Sequence, residues 1–268
     1  MTGLYEHFVA FGVDNAGLER LMRLAQSFMM ILTSYPAFLQ YLTSYTPHLA
    51  TLATLSSTSS HLNLVRRWLR TFRFFDTFSR SVSLYMSQEK ALDTWLSAHA
   101  ATCLGIFGML ETITVLDLCR IEGLEVFGYK EALGINLEAQ RFWFMGLLLS
   151  ACSTLVKLVR LSAYKPVPAT GDGYGTSAEK DGKTVEERLR EERKRRKDEK
   201  KAHSKKMKDE VTTLSFRFAA DVMDLVIPAT ALGWVTQNWG RASIIMFLTS
   251  VLTGTEVWWK VGKKLQTT

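Results

Sequence analysis

The chain has 268 residues, 47% of them apolar, and a formal net charge of +7. This length and composition can build a sizeable core in one large domain or two small ones, and the basic balance favours an anionic partner such as phospholipid, nucleic acid or an acidic protein. The three cysteines form no C-x-x-C pair, which argues against a disulfide framework or a zinc knuckle.

Helix is predicted for most of the chain, because turn dipeptides and alternating apolar runs are scarce and no internal repeat is visible. The first well-marked helix follows Asp14, a suitable N-cap, and should end before Pro36. Its apolar positions recur at helical spacing, while Arg20 and Arg23 lie elsewhere on the helix surface. These apolar positions are Leu18, Leu21, Met22, Ala25, Phe28, Met29 and Leu32.

Residues 64–82, LVRRWLRTFRFFDTFSRSV, combine five arginines with many large apolar side chains and a single acid, Asp76. At about 100° per residue of a helix, the basic and apolar side chains separate onto opposite sides. The apolar side holds Val65, Trp68, Leu69, Phe72, Phe75 and Val82, and the basic side holds Arg66, Arg70, Arg73 and Arg80.

This two-sided segment predicts a membrane-binding helix. Its apolar side would lie between acyl chains while its arginines pair with lipid phosphates, each contributing roughly 1 kcal/mol near an anionic leaflet. A wedge of this kind in one leaflet favours positive curvature and hence tubulation.

The alternative is a helix that packs on its neighbours with the arginines in solvent. Phe74, which lies on the arginine side, favours that alternative.

Two apolar segments follow in the middle of the chain. Residues 98–118 contain Glu111 and Asp117. Charges in mid-segment cost a few kcal/mol each on insertion, so we expect a buried or partly inserted helix and a poor membrane span. Residues 142–156 are bounded by Arg141 and Lys157. They are short for a span unless Lys157 reaches back to the interface.

A change of composition divides the chain. Residues 163–211 contain prolines, the sequence GDGYG at 171–175 and a run of mixed charge, which predict a flexible linker whose charged half can form a solvated helix. An N-terminal helical, membrane-remodelling region (1–162) precedes this linker, and a membrane-anchoring region (212–268) follows it. RKRRK at 193–197 is a poor nucleic-acid site, because acids surround it and no aromatic residues alternate with the bases.

The C-terminal region carries the best candidate for a membrane span. Residues 242–261 are interrupted by Glu256 alone, and two tryptophans followed by lysines close the segment, as expected at a cytosolic interface. Ser250 and Gly254 are four positions apart and permit close helix approach, which indicates self-association.

The sequence predicts no catalytic site, no metal site and no cofactor. Asp221 and Asp224 are one helical turn apart, but no histidine or nucleophile lies near them in sequence, so we expect them to cap or pair structurally. The histidines are scattered without metal-ligand spacing. GDGYG lacks the preceding strand and the following Gly-Lys-Ser of a phosphate loop. We therefore expect a protein that is not an enzyme.

Five segments, taken in order along the chain, carry a resemblance to a known family. The basic and aromatic segment 64–82 follows an N-terminal helical region, and LETITVLDL and RFWFMGLLLSACSTLVKLVRL come after it. The chain closes with FRFAADVMDLVIPATALGWV and NWGRASIIMFLTSVLTGTEVWWKV, in which an aspartate, an apolar I-P turn, a glycine and terminal tryptophans recur. In this order they resemble the eleventh-peroxin family, the peroxisomal membrane proliferation and elongation proteins. The charged insert at 179–210 departs from the family pattern.

The resemblance implies a protein of the peroxisomal membrane that self-associates, bends anionic phospholipid membranes through the helix containing Arg66 to Arg80, and recruits or stimulates dynamin-type fission machinery. The expected fold is all-α, a membrane-associated bundle of amphipathic helices with a C-terminal apolar helix. One alternative is a soluble helical scaffold that binds acidic partners. The other is a pore for small metabolites, lined by Glu111, Asp117, Asp224 and Glu256.

Overall fold

A computed structural model describes residues 3–44, 46–88, 91–163, 185–236 and 238–267. In this part of the chain the regular secondary structure is helical and no strand occurs, which confirms the all-α fold. The helices are α1 (Leu4–Val13), α2 (Asn15–Ser34), α3 (Pro36–Thr43), α4 (Leu49–Arg70), α5 (Arg73–Tyr85), α6 (Leu92–Ile113), α7 (Val115–Cys119), α8 (Tyr129–Ala163), α9 (Val185–Asp224), α10 (Val226–Ala231) and α11 (Trp239–Thr267).

The predicted N-terminal helix is confirmed as α2. The side chain of Asp14 accepts hydrogen bonds from the backbone N–H groups of Ala16 and Gly17 at 3.0 and 3.2 Å, as an N-cap does. The helix ends at Ser34, and Pro36 occupies the first turn of α3, where its missing N–H costs nothing.

Residues 64–82 do not form the single helix that was predicted. α4 ends at Arg70 and α5 begins at Arg73, because Phe72 adopts a left-handed conformation with φ of 67°. The start of α5 packs against glycines of α6. A Cβ at Gly108 would lie 3.2 Å from the Cβ of Phe74, and one at Gly105 would lie 2.7 Å from the ring of Phe78. The break therefore turns two phenylalanines of α5 inward.

The bundle is built from long helices in close contact. α6 packs along both α5 and α8, and α2 packs along both α4 and α11. α9 lies against α8 and α11. At one crossing, a Cβ on Gly146 of α8 would lie 2.8 Å from Cγ of Leu104 on α6. Glycine is required there because any side chain would separate the two helices.

The interior of the bundle contains many polar side chains, and its exterior carries many large apolar ones. In the described part of the chain, more than half of the buried apolar residues are alanines, and buried polar or charged residues outnumber the buried apolar ones. Large apolar side chains lie outside instead, as at Leu4 and Trp259, which are 80% and 71% exposed. Water-soluble proteins rarely expose so much large apolar surface, whereas helices in lipid pack through small residues and polar contacts. The exterior therefore fits lipid better than water.

In the described part of the chain, three helices are long and apolar enough to cross a membrane: Leu92–Ile113, Tyr129–Ala163 and Trp239–Leu265. The last agrees with the predicted C-terminal span. The first two correct the sequence analysis. α6 begins six residues before the predicted segment and ends ahead of Asp117, and α8 begins thirteen residues before position 142. α8 therefore gains the length that residues 142–156 lacked, and α6 leaves Asp117 outside the helix but keeps Glu111.

The charged half of the predicted linker is helical. α9 begins at Val185 and continues without a break across residue 211 to Asp224. The first half of the linker, which includes GDGYG at 171–175, lies outside the described residues. The division into three regions at residues 162 and 211 stays a prediction.

Candidate membrane interface and buried arginine cluster

The apolar side of the segment 64–82 faces outward. Leu69 is half-buried. The other predicted apolar contact residues are exposed, by 42% at Val65, 46% at Trp68, 65% at Phe72, 62% at Phe75 and 55% at Val82. These side chains are available to a lipid phase without any rearrangement of the bundle.

The arginines of the same segment fall into two groups. Arg73 and Arg80, on α5, are exposed. Arg66 and Arg67, in the last turn of α4, are buried, and the side chain of Arg70 is only 24% exposed. The basic side of α4 therefore faces the bundle interior, and α5 alone presents its arginines to the surroundings.

Glu19 of α2 holds Arg66 of α4. Nε and Nη2 of Arg66 donate to Oε1 of Glu19 at 3.0 and 2.8 Å, and Nη1 donates to the side-chain oxygen of Gln26 at 2.5 Å. Glu19 and Gln26 are seven residues apart and share one face of α2. Charge-assisted bonds from a guanidinium are among the strong hydrogen bonds of proteins, so this contact joins α4 firmly to α2.

Glu111 of α6 makes a second connection to α4. Nη2 of Arg70 lies 3.0 Å from both carboxylate oxygens of Glu111. Nε of Arg67 lies 3.8 Å from Oε1 of Glu111, which is beyond hydrogen-bond distance. Nη1 of Arg70 is also 3.9 Å from Oε1 of Glu19, so one network spans α2, α4 and α6.

A third contact joins α2 to the C-terminal helices. Nη2 of Arg23 donates to Oδ1 of Asp224 at 2.5 Å and to Oγ1 of Thr249 at 3.1 Å, and Thr249 donates to the same aspartate oxygen at 2.6 Å. Asp224 thus pairs structurally, as predicted, and Asp221 accepts a hydrogen bond from Ser150 at 2.7 Å. We call the following set the arginine cluster: Arg20, Arg23, Arg66, Arg67 and Arg70 with Glu19, Glu111 and Asp224.

Burial and pairing act in opposite directions on the titration of this cluster. Burial by itself would raise the pKa of Glu19, but neighbouring arginine charges, that of Arg20 first, and the hydrogen bond from Arg66 lower it to about 2. Burial lowers the pKa of Arg66 to about 10, although the charge of Glu19 opposes that change. Burial likewise lowers the pKa of Arg67. Glu19 and Arg66 are therefore both charged at neutral pH.

The geometry changes the roles expected for two predicted membrane-binding residues. The sequence analysis assigned Arg66 and Arg70 to lipid phosphates, and in the structure carboxylates of the chain itself take that place. Sequence reasoning did not identify the partners, Glu19 and Glu111, although one signal was present. Each is a carboxylate within a mostly apolar helix, and such a group requires a cationic partner when it is buried.

The four residues predicted to line a pore lie in three different parts of the structure. Glu111 and Asp224 belong to the arginine cluster. Oδ1 of Asp117 accepts hydrogen bonds from the backbone N–H groups of residues 126, 127 and 128 at 2.8, 2.9 and 2.9 Å. Glu256 pairs with Lys260 at 3.0 Å on the surface. These side chains do not converge on one path.

Among the described residues, no three His, Cys, Asp or Glu side chains lie close enough together to hold a metal ion.

Of the small-residue pair on α11, Gly254 lies beside α2 of the same chain and Ser250 is buried. Ser250 is buried and donates to the carbonyl of Met246 at 2.5 Å. A Cβ on Gly254 would lie 4.0 Å from the Cβ of Arg20. α2 therefore covers the face on which self-association was expected, and self-association stays a prediction with no surface assigned to it.

A helical bundle with many buried polar side chains, many exposed large apolar ones and, among the described residues, three helices of spanning length is typical of a membrane-associated helical protein. The family profile of peroxisomal biogenesis factor 11 (PEX11) matches residues 5–258, so the chain belongs to that family. The family predicted from the sequence is thereby confirmed. Neither a curated protein nor a solved structure matches the chain. Membership implies a role in peroxisome biogenesis, and the family is not known as one of enzymes.

Proposed function

We propose that this chain remodels and elongates the peroxisomal membrane by seating the outward apolar side of α4 and α5 in one leaflet. The exposure of Phe72 and Phe75, next to a helix α4 whose Arg66 and Arg67 are buried, is the observation that supports this function. Each ring is more than 60% exposed, and covering that area with lipid contributes about 1 to 2 kcal/mol. The two rings together supply about 2 to 4 kcal/mol toward insertion.

α5 is the element best suited to an anionic leaflet. Arg73 and Arg80 are exposed on the same helix as Phe75 and Val82, so basic and apolar groups lie within reach of one interface. Partial burial of the otherwise exposed Arg80 lowers its pKa, and the positive charge of Arg217 on α9 lowers it further. Two neighbouring cations favour an anionic headgroup between them, and each arginine near such a leaflet contributes roughly 1 kcal/mol.

The remaining long helices supply the anchor. α6, α8 and α11 have the length and apolar composition of membrane spans. In this proposal they fix the protein in the peroxisomal membrane while α5 and the end of α4 expand one leaflet. The elongated membrane is then the substrate of the dynamin-type fission machinery, the partner that the family resemblance implies. Self-association would raise the local density of such wedges.

The proposal is tested with the full-length protein reconstituted into liposomes that contain anionic phospholipid. The wild type is expected to draw tubules that electron microscopy resolves, and the Phe72→Ser/Phe75→Ser variant is expected to draw few or none. Phe216→Ser/Val222→Ser is the matched control, because it removes two exposed apolar side chains from α9. Unchanged tubulation by the Phe72→Ser/Phe75→Ser variant would contradict the proposal.

The two groups of arginines separate membrane binding from folding. Arg73→Glu/Arg80→Glu should reduce tubulation and leave the helical circular dichroism signal intact, since both side chains are exposed. Arg66→Glu/Arg70→Glu should unfold the bundle, because it places like charges beside Glu19 and Glu111. If the first variant remodels membranes as the wild type does, the assignment of α5 is wrong.

A further inference from the structure

The charged part of α9 stands clear of the bundle. Within residues 193–213, the side chains that the structure describes are exposed apart from the half-buried Met207. The helix continues without a break to Asp224, and its last turns pack on α8, where Ser150 donates a hydrogen bond to Asp221 at 2.7 Å. The bundle therefore fixes the direction of α9 and leaves the surface of its charged part open.

Lysines form a stripe along this open part. Residues 193–208 contain ten lysines and arginines and two acids, an excess comparable with the net charge of +7 of the whole chain. At about 100° per residue, five of the lysines fall within an arc of about 80° that extends over about 21 Å of helix. Asp198 and Asp209 lie beside this arc and not within it. The five, which we call the lysine stripe, are exposed: Lys194, Lys197, Lys201, Lys205 and Lys208.

The direction of α9 selects among acidic partners. A flat anionic bilayer contacts a stripe of this kind only when the helix lies along the lipid surface. α8 crosses the membrane in the proposed function, on which this step rests, and the end of α9 is packed against α8. The lysine stripe therefore leads away from the lipid that holds the protein. An elongated acidic element of another protein can follow it in that direction.

We infer that the lysine stripe binds an acidic α-helix of a partner protein. Two helices laid side by side have the same rise per residue, so carboxylates spaced by three and four positions on the partner meet successive lysines of the stripe. Opposite charges on facing helices set partner choice and orientation in the same way in coiled coils. Because the contact joins exposed charges, salt screens it, and the binding should be readily reversible.

The test uses the full-length protein in phosphatidylcholine nanodiscs and measures the fluorescence anisotropy of labelled helical peptides. One peptide carries glutamates at the spacing of the lysine stripe, and a second has the same composition with the glutamates distributed around the helix. The first peptide is expected to bind at least tenfold more tightly than the second and to lose affinity as salt is added. Equal binding of the two peptides, or binding of neither, overturns the inference.

Variants assign the binding to the stripe. Lys201→Gln/Lys205→Gln should weaken binding of the first peptide at least tenfold. Arg193→Gln/Lys206→Gln is the matched control, because it removes two charges from exposed positions outside the arc and should have a much smaller effect. Equal losses in the two variants would show that total charge decides the binding, which overturns the inference.

A bilayer is the other occupant that the experiment distinguishes. Vesicles that contain phosphatidylserine are offered to the same nanodiscs in place of the peptides. Vesicle capture that is lost in Lys201→Gln/Lys205→Gln, without a preference between the two peptides, would identify an apposed membrane and overturn the inference. Peptide binding in nanodiscs requires no remodelling, so a failure of tubulation would contradict the proposed function and leave this result unaffected.

Discussion

Replacing Glu19 by glutamine should destabilise the bundle strongly, because Glu19 is the acceptor that joins α4 to α2. The carboxylate is 3% exposed as a side chain and its pKa is lowered from 4.5 to about 2. At about 1.4 kcal/mol per pKa unit, this change corresponds to about 3 kcal/mol of stability at neutral pH. Loss of one partner from a buried ion pair costs about 3 to 5 kcal/mol in other proteins. We therefore expect Glu19→Gln to lower the free energy of unfolding by about 3 kcal/mol.

The assay is chemical unfolding in detergent micelles, followed by circular dichroism. Glu138→Gln provides the matched control, since Glu138 pairs with Arg141 at 2.6 Å and both side chains are more than half exposed. An exposed pair of this kind contributes no more than about 0.5 kcal/mol. The reasoning is refuted if Glu19→Gln lies within about 1 kcal/mol of the wild type, or if both variants lose the same amount.

The same carboxylate predicts the direction of the acid response. The pKa of Glu19 is lower in the folded chain than in the unfolded one, so its contribution is complete above pH 4.5 and is lost as the pH falls toward about 2. Wild-type stability should therefore decrease across this interval, and Glu19→Gln should show a smaller decrease. Equal slopes for the two proteins would exclude Glu19 as a source of the acid response.

Three further substitutions test the packing of α8 and the loop that precedes it. Gly146→Ala should lower the free energy of unfolding by about 1 to 3 kcal/mol, because the added methyl group is forced against Leu104. Gly134→Ala is the matched control: no atom lies within 4 Å of the added methyl group, so it should raise the free energy of unfolding by about 0.5 to 1 kcal/mol. Equal thermal stabilities of these two variants would show that α6 and α8 do not approach closely at Gly146. Asp117→Ala should accelerate hydrogen exchange at the amides of residues 126–128 at least tenfold and leave the middle of α8 unchanged, because these amides lose their acceptor. Unaltered exchange at those amides would mean that they are protected by something other than Asp117.

Local signals in the sequence were sufficient for several elements. The bounds of α2 followed from an N-cap at Asp14 and a proline at position 36, both of which act within one helical turn. The C-terminal span followed from the length of an apolar run. The family could be predicted because its fixed polar points recur in order along the chain. Each of these signals depends on residues close together in sequence.

The direction in which α4 faces could not be obtained in this way. A helical wheel separates Trp68 from Arg66 but does not say which of the two faces the interior. The answer depends on Glu19, which is 47 positions away in sequence from Arg66. The break at Phe72 has a similar origin, since residues 70–73 contain neither glycine nor proline and the turn is accompanied by packing of Phe74 and Phe78 on glycines of α6.

The length of α9 determines how far from the bilayer the chain can reach. Its 40 residues measure about 60 Å at a rise of about 1.5 Å per residue, twice the roughly 30 Å thickness of a hydrocarbon core. The charged part, residues 185–210, accounts for about 40 Å of that length. With α9 along the membrane normal, a protein that docks on its distal end would meet the chain well outside the headgroup layer. Each helical turn deleted from the charged part would bring such a partner about 5 Å closer to the lipid.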